Sequence, residues 1–222
     1  MTPRTLRWDG CRNVRDLGGL PTGDGGTTKF GGVVRSDNVC MLTESGRETV
    51  VAYGVRRIVD LRWSPEVEDD GPSGLPIDVV HVELLGRRDG TVAEIDARVR
   101  DLDDPVARRT GAYRGYLEVF ASNFAAAVGA VATAPDGPVL VHCAGGVDRT
   151  GLVSALLLRL AGVELADIGA DYAESERNWA PHVQAWIDDA PDEAEQRGVS
   201  EYLVSSGASE LELEGARARL RD

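Results

Sequence analysis

Cysteine and histidine are scarce in this chain, three of each among 222 residues. Cys11, Cys40 and Cys143 stand far apart and in odd number, which argues against a disulfide framework and for thiols. His81, His142 and His182 share no Cys-x-x-Cys or His-x-x-x-His spacing, so no zinc site is implied and no cofactor is expected. No apolar run approaches the roughly 18 residues that a membrane span needs. Met1 to Gly10 lacks the continuous apolar core of a secretory signal, so the expectation is a cytoplasmic protein. Basic residues are also in the minority: 24 Lys and Arg stand against 37 Asp and Glu, and the formal net charge of −13 opposes non-specific attraction to nucleic acid or an anionic membrane. Any affinity for phosphate has to be local.

Against these absences, 42% hydrophobic and 27% charged residues are ordinary for a globular chain, and the length suits one domain over residues 1–222. Strand-like and helix-like segments alternate: Phe30–Val34, Ser45–Tyr53, Arg57–Leu61, then Val79–Leu85. That rhythm predicts an α/β fold with a mostly parallel central sheet flanked by helices. One helix is expected from Ala112 to Ala132, with Leu117, Phe120, Phe124, Val128 and Val131 on its core face. The turn Ala134–Pro138 ends it, and Val139–Val141 reads as a short buried strand. A helix from Thr150 to Leu160 is stopped by Gly162. Asp167–Trp179, Val183–Asp188 and Leu211–Leu220 also look helical. Asp101–Asp104, ahead of Pro105, reads as a loop or the edge of a lid.

The segment from His142 to Gly151 sits where the buried strand turns into a helix, the place where α/β sheets bind ligands. Five residues, Ala144, Gly145, Gly146, Val147 and Asp148, separate Cys143 from Arg149. Two glycines let the backbone curl so that successive N–H groups converge on an anion. The following helix adds the positive end of its dipole, and Arg149 supplies a planar fork matched to two phosphoryl oxygens. A thiol of ordinary acidity is a poor nucleophile at neutral pH, so the surroundings must favour the thiolate. A helix end contributes at most about 2 kcal/mol; the loop N–H groups, Arg149 and the Thr150 hydroxyl are the natural sources of the rest. Thr150 can also hydrogen-bond the sulfur as it leaves. His142 suits orientation of the loop rather than service as a base. Cys11 and Cys40 lack such a setting and read as structural.

His142–Gly151 resembles the signature of the atypical bacterial tyrosine phosphatase family, His-Cys-x-x-Gly-Lys-Asp-Arg-Thr-Gly. Asn13–Gly19, Arg35-Ser36-Asp37, Leu42-Thr43, Val59–Arg62 with Glu66, and Asp171-Tyr172 with Ser175 are similar to that family's other blocks. The likeness reaches about Asn178, and the C-terminal part, 181–222, is expected to be helical and poorly matched. The resemblance implies the cysteine-phosphatase fold, no metal, and hydrolysis of phosphotyrosine, sometimes with phosphoserine, phosphothreonine or phosphoinositides. Val147 replaces the family's lysine, which weakens the case for a polyphosphorylated lipid.

A carboxyl group must protonate the leaving oxygen and later activate water. Asp148 is the first choice, also implied by the resemblance; the plainer reading is that it braces Arg149. Asp89 is the reserve, and Asp103 and Asp104 are options by analogy with dual-specificity phosphatases. Asp60 and Arg62 either support the loop or form a structural ion pair. For Asn13, Arg15 and Asp16 a local hydrogen-bonded turn is favoured. The leading function is a phosphatase passing through a phosphocysteine, on a phosphorylated protein. A small-molecule phosphatase using the same loop is the alternative, and an inactive phosphate-binding module is a third reading.

Overall fold

Five short strands form: β1 (Arg15–Asp16), and four that carry adjacent valine, isoleucine or leucine residues, β2 (Val33–Ser36), β3 (Arg57–Asp60), β4 (Asp78–His81) and β5 (Val139–His142). They form one sheet in the order β1-β2-β5-β3-β4, parallel except for β1. The computed structural model describes residues 4–87, 90–179, 203–204 and 208–221. Eight α-helices lie among them: α1 (Glu44–Tyr53), α2 (Ser64–Asp70), α3 (Thr91–Val99), α4 (Pro105–Val119), α5 (Ala121–Ala132), α6 (Asp148–Leu160), α7 (Leu165–Trp179) and α8 (Glu210–Leu220). The α/β expectation is met.

The period-two alternation of strand side chains divides the core in two. Val34, Ile58 and Leu140 join Trp8, Val39 and Val50 on one face, under α1. Val33, Val59, Val139 and Val141 join Phe124, Val128, Leu157 and Leu213 on the other, under α5, α6 and α8. A parallel sheet covered on both faces leaves the carboxyl ends of its strands as the open edge. β5 is the central strand, flanked by β2 and β3, so the loop after it sits in the middle of that edge.

Several expected boundaries move. Strand β2 starts at Val33, because Gly31 at φ +73° turns the chain and Lys29 N–H is taken by Leu220 O at 2.7 Å. The shift places Arg35 and Ser36 beside Val141 and His142. Strand β4 ends at His81: Asn123 Nδ2 donates to Glu83 O and Leu84 O at 3.1 and 3.3 Å, claiming carbonyls that a longer strand would use. The single helix expected over Ala112–Ala132 is two, bent by 80°. Phe120 (φ −105°, ψ 25°) breaks the ladder and buries its ring. The bend lets Tyr113 and Tyr116 pack on one side while Phe124, Val128 and Val131 fill the core beneath the sheet, so tertiary packing overrides the continuous stripe. Val183–Asp188 lies outside the described residues.

Asp104 accepts from Val106 N–H and Ala107 N–H at 2.9 and 3.3 Å and caps α4, with Pro105 at its first position. Asp104 thus has a capping role, and Asp103 is exposed in the preceding loop. Asp104→Ala is expected to cost about 1 kcal/mol of stability in urea denaturation, and Asp104→Asn only a few tenths.

Candidate active site

The loop after β5 is held by its carbonyls. Cys143 O faces His142 Nδ1 at 3.3 Å, and Ala144 O accepts from Asn38 N–H at 3.0 Å. Asn13 Nδ2 donates to Gly145 O at 3.3 Å and to Gly146 O at 2.9 Å, and Arg35 Nη2 reaches Gly146 O at 2.8 Å. In a planar trans peptide the C=O and the next N–H point oppositely. Tying four consecutive carbonyls outward therefore turns the N–H groups of Ala144, Gly145, Gly146 and Val147 the other way. The Gly146 N–H lands on Cys143 Sγ at 3.2 Å. Gly146 has φ +66°, and a Cβ there would lie 2.7 Å from Asp37 N and Ser36 O, so only glycine fits.

Arg149 opens α6 one residue after Asp148 and is itself gripped. Glu66 accepts from Nη1 at 2.5 Å and from Nη2 at 2.9 Å, and the guanidinium lies 4.5 Å from the Trp63 ring centroid. With the fork's end occupied, the Nε edge is the one left for an oxyanion. Glu66 also accepts from Trp63 N–H at 2.8 Å, capping α2 with the same carboxylate. Burial opposes its ionised form, but the bonds from Arg149 and Trp63 outweigh it and hold its pKa below the ordinary value. The clamp is therefore complete above the usual glutamate range and is lost as pH falls through that lowered value.

Asp148 is exposed, and its Oδ1 accepts from the Tyr113 hydroxyl, which in turn lies 2.7 Å from the Tyr172 hydroxyl. Burial, then Tyr172 and Asp148, push the Tyr113 pKa far up, so Tyr113 stays a donor. Thr150 Oγ1 is buried and finds no partner, and the Gly146 N–H is the donor that reaches the sulfur. Val147 is half-buried and packs against the core. Asp89 lies outside the described residues.

Asp60 and Arg62 form a buried pair, Nη2 to Oδ2 at 2.7 Å, and Arg62 also reaches Asp70 at 2.6 Å. His142 Nε2 sits 3.6 Å from the same Asp60 oxygen. Burial lowers the His142 pKa despite that carboxylate. These groups brace the loop's base from β3. Cys11 donates to Asn38 O at 3.5 Å, and burial pushes its thiol up to about 12. Cys40 is half-buried, and burial raises its pKa as well.

The turn reading of Asn13 and Arg15 is corrected. Asn13 spans to the loop, and Arg15 crosses to α7, bonding Asp171 Oδ1 and Oδ2 at 2.9 and 3.0 Å and Ser175 Oγ at 2.6 Å. Arg35 joins the same carboxylate at 2.7 Å, and Arg4 joins it from the rim. Asp16 keeps a local bond from Gly18 N–H at 2.6 Å and also accepts from Gly31 N–H at 2.8 Å and from the Tyr53 hydroxyl. Burial disfavours ionised Asp171, but the three arginines, Arg15 foremost, hold its pKa far below the carboxylate range. Sequence reasoning missed Glu66, Tyr113, Arg35 and Asp171 as parts of the site. A glutamate three residues past the start of a helix was the legible signal for Glu66.

A cysteine at the end of a buried central strand, a ring of inward N–H groups and an arginine at the next helix start define a strand–loop–helix anion cradle. The profile of the tyrosine phosphatase family matches residues 6–218, and the chain belongs to that family. A Cupriavidus necator protein carrying a tyrosine-protein phosphatase name is 32% identical over 188 residues, covering 77% of this chain and 62% of that protein. A tyrosine-protein phosphatase of Nostoc commune is 32% identical over 146 residues, 64% of this chain and 47% of its own length. The triple specificity protein phosphatase PtpB of Mycobacterium tuberculosis is 29% identical over 202 residues, 80% of this chain and 71% of its own length. The chain thus spans less than two thirds of the first two relatives. Among the described residues no single helix is long and apolar enough to cross a membrane.

Asp171→Asn is expected to cost about 3–5 kcal/mol in urea denaturation, since it strands buried Arg15 and Arg35. Glu66→Gln should weaken tungstate binding roughly tenfold, because Arg149 loses one of the charge-assisted bonds that hold its guanidinium in place. Competition with a fluorogenic aryl phosphate reads that loss.

Proposed function

We propose that this chain hydrolyses phosphomonoesters through a phosphocysteine on Cys143. The observation that carries the reading is the tied-back loop, with its Gly146 N–H 3.2 Å from the sulfur and the Nε edge of Arg149 turned free. Backbone donors fixed in place before substrate arrives stabilise charge that builds on the phosphoryl oxygens without reorganising. In the first step the Cys143 sulfur bonds to phosphorus, the P–O bond to the leaving group breaks, and Asp148 gives that oxygen a proton. In the second, Asp148 takes a proton from water as the water oxygen bonds to phosphorus and the S–P bond breaks. Ala144, Gly145, Gly146, Val147 and Arg149 hold the phosphoryl group in both.

Tyr113 supports the choice of Asp148 by fixing its carboxyl at the rim of the loop. Thr150 keeps a place in the reading as a buried hydroxyl in the first turn of α6, one residue past Arg149. The substrate class proposed is a phosphotyrosine-like ester on a protein, and the triple-specificity name of the mycobacterial relative supports a range wider than tyrosine. Val147 in place of a lysine leaves the loop without a second cation for additional phosphates. A cytoplasmic, reducing setting belongs to the proposal, because the chemistry needs Cys143 as a thiol.

Cys143→Ser is expected to abolish turnover while phosphate-analogue binding survives, because the cradle remains. Near-normal turnover by that variant would end the phosphocysteine mechanism. Asp148→Asn should lower kcat/KM for an alkyl phosphate by about 10²- to 10⁴-fold and far less for an activated aryl phosphate that scarcely needs a proton. Equal losses on both substrates would make Asp148 a brace for Arg149. A leaving-group-dependent defect in Asp89→Asn alone would move the acid upstream.

A further inference from the structure

Arg35 is buried to 1% exposure and touches none of the atoms that react in the scheme above. Its Nη2 holds Gly146 O at 2.8 Å and its Nη1 holds Asp171 at 2.7 Å, while its Nε has no hydrogen-bond partner. For stability alone this is a poor arrangement. An unsatisfied donor on a buried cation is costly. Arg15 is equally buried and shares the one carboxylate, with Arg4 at the edge, so positive charge outnumbers negative in the cluster. The cluster also lies under the first turn of α6, where Arg35 Nη2 would be 3.7 Å from a Cβ built on Gly151. A helix N-terminus disfavours a cation. Burial and Arg15 bring the Arg35 pKa down to about 10 against the pull of Asp171, so it remains charged at neutral pH.

What the cluster does provide is a fixed peptide and a concentration of positive charge directly behind the loop. Gly146 has the conformational freedom to rotate its peptide, and the Val147 N–H turns with Gly146 O. We infer that Arg35 is a positioning residue for the cradle: gripping Gly146 O from behind, it keeps the Val147 N–H facing the oxyanion and adds its charge to the field there. The inference rests on the phosphatase reading. Asn13 holds the same oxygen at 2.9 Å but is neutral, so the two anchors are not equivalent.

The test is alkylation of Cys143 by iodoacetate and by iodoacetamide at one pH, each rate divided by that of a small free thiol, with the Cys143 peptide followed by mass spectrometry. Both reagents consume the same thiolate, so their ratio cancels thiolate fraction and folded fraction, and only the carboxylate of iodoacetate uses the cradle. Wild type is expected to favour iodoacetate. Arg35→Met should lower the ratio roughly tenfold. Arg35→Lys, which keeps the charge but not the fork, should fall between. A merely structural arginine would change yield and Tm and leave the ratio alone. A wild-type preference retained in full by both variants overturns the inference and leaves the phosphatase reading intact. A wild type with no preference and no turnover of any phosphomonoester defeats the reading itself, and the inference with it. If Arg35→Met fails to fold, Arg35→Lys decides: a reduced ratio supports the role and an unchanged one removes it.

Discussion

The opposition of C=O and N–H in a trans peptide is the constraint on which this site depends. A loop that must present several donors to one anion has to turn as many carbonyls away, and each carbonyl turned into the protein needs a partner. Here those partners are His142, Asn38, Asn13 and Arg35, drawn from β5 itself, from β2 and from the segments beside β1 and β2. The front of the cradle is therefore shaped by what stands behind it. Gly146 is confined from the same side, since the Ser36–Asp37 backbone leaves no room for a side chain.

The charge distribution follows the same logic. A chain with a net charge of −13 does not attract phosphate at long range. It buries four arginines near the loop instead, Arg15, Arg35, Arg62 and Arg149. Arg149 is fixed at the mouth by Glu66, and Arg15 and Arg35 are fixed behind the loop by Asp171. Each acidic partner takes up part of an arginine's charge but also fixes where the remaining donors point. Glu66 settles which edge of Arg149 faces outward, and Asp171 settles which carbonyl Arg35 can reach.

Much of this was legible in the sequence, for identifiable reasons. Val139–Val141 could be read as a buried strand because it is short, β-branched and bounded by turn residues, and the run from His142 to Gly151 is local enough to be recognised as a unit. The alternation of strands and helices announced the α/β class. The break at Phe120 was hidden, because a stripe at spacings of three and four continues across it and only packing against two different neighbours bends the chain. The supporting residues were hidden for another reason. Asn13, Arg35 and Glu66 meet the loop or Arg149 only through the fold, with Asp171 behind Arg35, and nothing in their local spacing marks a partner as distant as Arg149 is from Glu66, 83 positions apart. β2 begins three residues later than expected and runs on to Ser36, so Arg35 stands in register with Val141.

The position of Asp171 in α7 has a consequence for the order in which the protein is made. Synthesis delivers Cys143 before it delivers the carboxylate that neutralises Arg15 and Arg35. A nascent chain that has reached only β5 and α6 holds the nucleophile, both glycines and Arg149, yet the arginines behind the loop have no counter-charge and no reason to stay buried. In the finished fold that counter-charge comes from α7. A half-made chain thus carries the whole loop from His142 to Gly151 without the counter-charge that the finished fold places behind it.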